Sequence, residues 1–217
     1  HHAMGLVLAL ARQLHLARDQ QHNRYWRPMI SDPAQREDDL CGQTMLIIGL
    51  GEIGSRLAKL AKIFGMRVLG VKQDISRHDG IADEVHAPSE LPRLFSHADV
   101  VVLCCPLTST TRNLIDQSAF SAMKSSGQLV NVARGGCVNE AALANALTKG
   151  QIASAAIDHF YDEPLPVDSP FWSMENLVIT PHSAGETRKY EDNVIDILIQ
   201  NLDRLWSGKE ELVNQIL

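Results

Sequence analysis

No apolar run in this 217-residue chain approaches the ~18 residues that a membrane-crossing helix needs. Basic excess is missing too: the formal net charge is −6, and positive and negative residues are mixed without a long single-sign run, which argues against a nucleic-acid-binding face. The four cysteines, Cys41, Cys104, Cys105 and Cys137, form neither a CxxC pair nor a disulfide-scaffold spacing. Two lie in an apolar run, and all four read as reduced packing residues. Nine histidines contain no HxxxH or HExxH pair, so no metal site is expected. The N-terminus lacks the basic start and apolar centre of a signal peptide, and a cytoplasmic protein is expected. His1-His2 read either as native residues or as the remnant of a tag.

What is present is organised around the stretch from Thr44 to Asp74. Met45-Leu46-Ile47-Ile48 is a short apolar run with β-branched residues, the pattern of a strand buried on both faces. Gly49-Leu50-Gly51-Glu52-Ile53-Gly54 comes next. From Ser55 to Phe64 the apolar residues Leu57, Leu60, Ala61 and Phe64 fall at helical spacing, Gly65 stops the helix, and Met66 to Val71 reads as a second strand. A GxGxxG between a strand and a helix points to dinucleotide binding. Gly49 makes the tight turn, Gly51 lets the backbone approach a pyrophosphate, and Gly54 lets the helix pack closely. The amides and positive end of the new helix would face the phosphates.

At the end of that second strand, an acidic residue usually binds the adenosine ribose of NAD. Lys72 stands there instead. Asp74, two residues on, offers a substitute carboxylate for NAD, whereas Lys72 with Gln73, Arg77 and His78 favours the 2′-phosphate of NADP. NAD or NADP is therefore expected, with NADP slightly favoured.

Met4 to Leu16 reads as an apolar helix, and Gln20 to Gln43 as an irregular arm with Pro28 and Pro33. Further strands are expected at Asp83 to His86, Asp99 to Cys105, Gln128 to Val132, Ile152 to Ile157 and Leu177 to Thr180. Helices are expected at Ser89 to Ser96, Gln117 to Lys124 and, capped by Asn139, through Leu147 to Lys149. An amphipathic helix from Thr187 to Trp206 ends at Gly208. Strands alternating with helices imply an α/β fold, a Rossmann-type doubly wound parallel sheet in three αβα layers with helical arms at both ends. The chain reads as one domain whose nucleotide-binding core spans 43–183.

Ligands of such a sheet bind beyond the carboxyl ends of its strands. Three polar residues come after three different strands: Arg134, Glu163 and His182. A guanidinium can grip a carboxylate with two hydrogen bonds. A histidine moves protons near neutral pH, and a carboxylate beside it raises its pKa and fixes its tautomer.

Five motifs in order resemble the D-2-hydroxyacid dehydrogenases: residues 49–54, Cys105-Pro106-Leu107-Thr108, Asn131 to Gly136, Asp158 to Leu165, and Thr180-Pro181-His182-Ser183-Ala184-Gly185. The likeness extends to Asp168 to Trp172 and Leu205 to Gly208. It implies an NAD(P)-dependent oxidoreductase of small 2-keto or 2-hydroxy acids, such as glyoxylate or hydroxypyruvate. By that resemblance Arg134 binds the substrate carboxylate and carbonyl, His182 is the acid/base and Glu163 keeps it protonated, and Arg134 and His182 also border the cofactor. Glu163 also counts against the formate dehydrogenase branch. Asp158 matches the partner of the nicotinamide carboxamide, Pro106 and Thr111 line the cofactor pocket with Cys105, and Val132 and Ala133 run beneath the nicotinamide. Glu52, Ile53, Ala184 and Gly185 complete the implied cofactor contacts.

A homodimer is implied as well, together with a smaller substrate-binding part preceding Met4 that is absent here. The chain alone is then expected to bind dinucleotide and turn over little, with the helices at Met4 to Leu16 and Thr187 to Trp206 pairing together, pairing with a second copy, or fraying. A dinucleotide-sensing, corepressor-like protein without turnover is the alternative.

Overall fold

The structure is a computed structural model, and it describes residues 1–33, 36–76 and 80–214. Arg77 and His78, candidates for contact with a 2′-phosphate, lie outside the described residues. Seven strands form one all-parallel sheet in the order β3-β2-β1-β4-β5-β6-β7. They are β1 Thr44–Ile48, β2 Arg67–Val71, β3 Glu84–His86, β4 Val100–Leu103, β5 Gln128–Asn131, β6 Ser154–Ile157 and β7 Leu177–Ile179. The four residues each of β4, β5 and β6 are all buried, as expected of parallel strands covered on both faces.

Strand alternation divides the core between two layers. Leu46, Ile48, Leu69, Val71, Val101, Leu103, Leu129, Ala155 and Ile157 join one apolar cluster with side chains from α4 (Leu91–Phe95), α5 (Gln117–Ala122) and α6 (Glu140–Thr148). On the other face α3 (Glu52–Ile63) packs on β1 and β2, and α1 (His2–Ala11) packs on β5, β6 and α3.

That position of α1 corrects the expectation of an apolar arm lacking its partner. Ala3, Met4, Leu6, Val7, Leu10 and Ala11 are buried, and their recurrence at three- and four-residue steps makes one face that closes the sheet. The helix is also shorter than expected. Gln13 takes the left-handed conformation (φ 49) and ends it, and α2 (Leu14–His22) has no buried residue. The stop is conformational, which the apolar pattern through Leu16 does not reveal.

The chain divides into two compact units, His1–His182 and Ser183–Leu217. The second contains α7 (Tyr190–Trp206), which starts three residues later than expected; Thr187 instead makes the preceding turn, accepting from Tyr190 N at 3.0 Å. Glu191 and Asp192 lie in its first turn and Arg204 in its last, matching the helix dipole. Asn201 exchanges two hydrogen bonds with Val213 (3.1 and 2.8 Å), pinning the segment beyond the helix. Val194, Ile195, Leu198, Ile199 and Leu205 are exposed.

If α1 is part of the core, Leu10→Ala should cost about 2–5 kcal/mol, the usual range for a buried leucine. Chemical denaturation measures this; a loss below ~1 kcal/mol would mean the helix frays.

Candidate active site

Backbone register brings the carboxyl ends of the strands into one row. Val71, Ile48, Leu103, Asn131, Ile157 and Ile179 are successive partners across β2, β1, β4, β5, β6 and β7. The residues just beyond therefore share one edge of the sheet. Chain order reverses between β1 and β4, the point where doubly wound sheets open a crevice.

The glycine turn after β1 occupies this crevice. Gly49 has φ +102, and a Cβ there would lie 2.7 Å from Cys105 N. A Cβ at Gly54 would lie 2.1 Å from Gly49 O, so the helix touches the turn directly. At Gly51, the N-cap of α3, an added Cβ meets nothing within 4 Å. No side chain caps this end, and Glu52 and Ile53 are exposed in its first turn. The open space, bare amides and positive helix end fit a dinucleotide's phosphates.

Lys72 comes directly after β2, its amide donating to His86 O at 3.2 Å. Asp74 Oδ1 accepts from Ser76 N (3.0 Å) and Ser76 Oγ (2.6 Å), a turn closed by its own side chain. Beyond β4, Thr111 Oγ1 donates to Pro106 O at 2.7 Å and accepts from Thr108 N at 2.7 Å, closing the 106–111 loop. Cys105 and Cys137 are buried and hydrogen-bonded to each other. That bond, aided by the Arg134 backbone, Thr111 and the Arg134 charge, outweighs burial and brings the Cys137 thiol below its ordinary value, while Cys105 is pushed up.

After β5 the fully buried Asn131 shapes the turn. Its Nδ2 donates to Arg134 O (3.0 Å) and its Oδ1 accepts from Ala133 N (3.0 Å). Val132 and Ala133 are buried while Arg134 is exposed, with Nη1 donating to Ala133 O at 2.6 Å. No motif spacing marks that role of Asn131; a polar residue closing an otherwise apolar run is the available signal.

After β6, Asp158 is 1% exposed. Thr180 Oγ1 donates to its Oδ1 at 2.5 Å, His2 Nε2 lies 3.4 Å from Oδ1, and His159 Nε2 lies 3.5 Å from Oδ2. His2 thus belongs to the packing around the site. Glu163 Oε1 accepts from Phe160 N (3.0 Å), and Oε2 is 2.7 Å from His182 Nδ1. Burial pushes the Glu163 pKa up, but hydrogen bonds from His182 and the Phe160 amide, with attraction to both histidines, hold it below the ordinary value.

His182 itself has φ +54, a left-handed conformation uncommon outside glycine. Its amide donates to Asp158 O at 2.9 Å, which ties the strained residue to the end of β6. Beside it lies His159, 4% exposed and unmarked by any spacing in the sequence, whose ring centroid lies 3.7 Å from that of His182. The donor atoms of His159, Glu163 and His182 fall within 4.8 Å of one another. The His182–Glu163 hydrogen bond and the ring contact account for that spacing, and the trio reads as a proton-handling cluster.

Arg134, Glu163 and His182 line one open cleft of about 400 Å³ with Leu107, Arg112 and His159. Asp158 is not in the cleft wall, its carboxylate being turned to Thr180, His2 and His159. Ala184 and Gly185 lie in the second unit, just past Ser183, whose carbonyl accepts from Glu186 N at 3.1 Å.

Residues 4–184 match the family described as D-isomer specific 2-hydroxyacid dehydrogenase, NAD binding domain. The chain belongs to this family. Family resemblance is close in sequence: the chain is 37% identical to glyoxylate/hydroxypyruvate reductase B of Enterobacter sp., covering 96% of this chain and 64% of that protein. Among solved structures, the D-isomer specific 2-hydroxyacid dehydrogenase of Xanthobacter autotrophicus in complex with NADPH and MES superposes with a TM-score of 0.84, at 29% identity over 99% of this chain and 84% of that one. D-lactate dehydrogenase with NAD+ from Lactobacillus jensenii gives 0.80, at 25% identity over 99% and 67%. The chain spans between 40% and 67% of the length of the curated relatives it matches. Among the described residues no helix is long and apolar enough to cross a membrane.

Gly51 and Gly54 separate binding from folding. Gly51→Ala should cost under about 1 kcal/mol of stability, the scale of an N-cap change, yet weaken nicotinamide dinucleotide binding at least ~tenfold by filling the phosphate space. Gly54→Ala should impair both, because its Cβ would strike Gly49 O. Calorimetric titration and thermal unfolding of the two variants check this; unchanged affinity in Gly51→Ala would remove the turn from the binding site.

Proposed function

We propose that this chain forms the cofactor-binding part of an NAD(P)-dependent reductase of small 2-keto acids, of the glyoxylate or hydroxypyruvate kind, and carries its acid/base. The observation that carries this reading is the 2.7 Å contact of His182 Nδ1 with Glu163 in a cleft that also holds Arg134. The reductase and dehydrogenase names of its relatives favour it over a dinucleotide sensor without turnover.

Arg134 makes no ion pair among the described residues, so its guanidinium is available to a carboxylate. With Nδ1 held by Glu163, His182 Nε2 is the atom that delivers a proton to the substrate carbonyl oxygen as negative charge develops there, and takes it back in the reverse direction. Glu163 stays ionised and offsets the imidazolium charge. The Gly49 to Gly54 turn would hold the phosphates of a dinucleotide and the edge at Val132 and Ala133 its nicotinamide, which when reduced would supply the hydride to the substrate carbon. Exposed Tyr25, Trp26 and Met29 support a homodimer.

In the full-length enzyme, His182→Ala should lower keto-acid reduction at least ~100-fold, the scale of a general acid, with little change in dinucleotide affinity. Near-normal turnover would overturn the assignment.

NADP is favoured because Lys72 follows β2 at the place where a carboxylate usually binds the ribose of NAD and would repel a 2′-phosphate, and Asp74 accepts from Ser76 in its own turn. Titration with NADH and NADPH should show NADPH bound at least as tightly. NADH binding more than ~tenfold tighter, about 1.4 kcal/mol, would show that Lys72 does not read the phosphate.

A further inference from the structure

Beside the residues with assigned roles stands a buried histidine with none. His159 lies between two carboxylates, its Nε2 3.5 Å from Asp158 Oδ2 and its Nδ1 3.6 Å from Glu163 Oε1. Its ring meets the ring of His182 at an interplanar angle of 62° with centroids 3.7 Å apart. Glu163 therefore faces two imidazoles, one on each oxygen: His182 on Oε2 at hydrogen-bond distance and His159 on Oε1, which also accepts from Phe160 N.

Resting on the reading of His182 as the acid/base, we propose that His159 is a positioning residue: while neutral it keeps Glu163 turned to His182, and once protonated it competes for that carboxylate, so that it sets the acid limit of the range in which His182 works.

Two imidazoliums at this separation repel, and one carboxylate cannot serve both equally well. His182 is half exposed and holds the short hydrogen bond, whereas a proton on His159 must enter a ring that has lost almost all its hydration. Every charged or titratable group facing His159 bears on that step. Burial and the His182 charge lower its pKa first, Asp158 opposes them, Arg134 lowers it further, and Glu163 opposes; the net direction is down. His2, on α1, stands across Asp158 and shares its Oδ1 with Thr180. As pH falls below the ordinary histidine range, His159 gains its proton, draws Oε1 towards itself, and weakens the hold of Glu163 on His182. The two rings titrate as a coupled pair, not as independent groups.

The test is an NMR titration of the imidazole signals in chelator-treated protein, with His182 identified by His182→Gln. The wild-type His182 signal should move in two steps, its own and a second at lower pH. His159→Gln, which cannot titrate, should leave one step, and His159→Val should do the same if the first variant does not fold. In the full-length enzyme the acid fall in kcat for reduction should then move at least ~one pH unit lower in the His159 variants. A purely structural His159 would lower stability without changing the shape of the His182 curve. A single step in the wild-type protein, or two steps surviving in a His159 variant, overturns the proposal. Loss of the second step in protein whose full-length form reduces no 2-keto acid would instead overturn the functional reading on which the proposal rests.

Discussion

A Cβ at residue 54 would sit 2.1 Å from Gly49 O, closer than any non-bonded atoms tolerate, and much of the molecule depends on that contact being free of a side chain. It lets the first turn of α3 rest directly on the turn after β1. The turn in turn leans on the end of β4, where Gly49 leaves no room for a side chain against Cys105 N. Helix, turn and two central strands are thereby locked at the point where chain order reverses, and the bare amino end of α3 is aimed along the sheet edge. A parallel sheet then does the rest, because each neighbouring strand stops in the same row and releases its next residues beside the turn.

The far side of that edge is arranged by a different device. Imidazoles and carboxylates alternate from His2 through Asp158, His159 and Glu163 to His182, with separations from 2.7 to 3.6 Å. Charge in such an arrangement is shared: moving one proton changes what each neighbour can hold. The strained backbone of His182 is retained because its amide is tied to Asp158 O, so the same residue that anchors the buried end of the chain also orients the exposed end. The short contact to Glu163 is made by Nδ1 and turns the opposite ring nitrogen of His182 away from that carboxylate.

Much of this was legible from the chain alone. Runs such as Met45 to Ile48 and Val100 to Leu103 read as doubly buried strands because no polar residue interrupts them, and each is a central strand. The GxGxxG turn was legible because three steric demands fall at fixed spacing. Arg134, Glu163 and His182 stood out as polar residues placed shortly after apolar strands, and all three meet in one cleft. Less legible were features without local pattern. Gln13 stops α1 through its backbone conformation, and the apolar face of α1 carries no mark saying that β5 and β6 are what it covers. Asn131 and His159 belong to the same class, since their roles depend on groups distant in sequence or hidden by burial.

The sequence by itself determined the parallel α/β layering, the dinucleotide turn and the identity of the polar residues released at the strand ends, because these arise from local periodicity and from the steric needs of single residues. Only the tertiary structure decided which of those residues share a carboxylate, that α1 is core, and that His2 and His159 stand in the charge network around Asp158 and Glu163. Such contacts join residues up to 178 positions apart, as between His2 and Thr180. Proton affinity depends on distances of a few ångströms and on burial, quantities that exist only once the chain has folded.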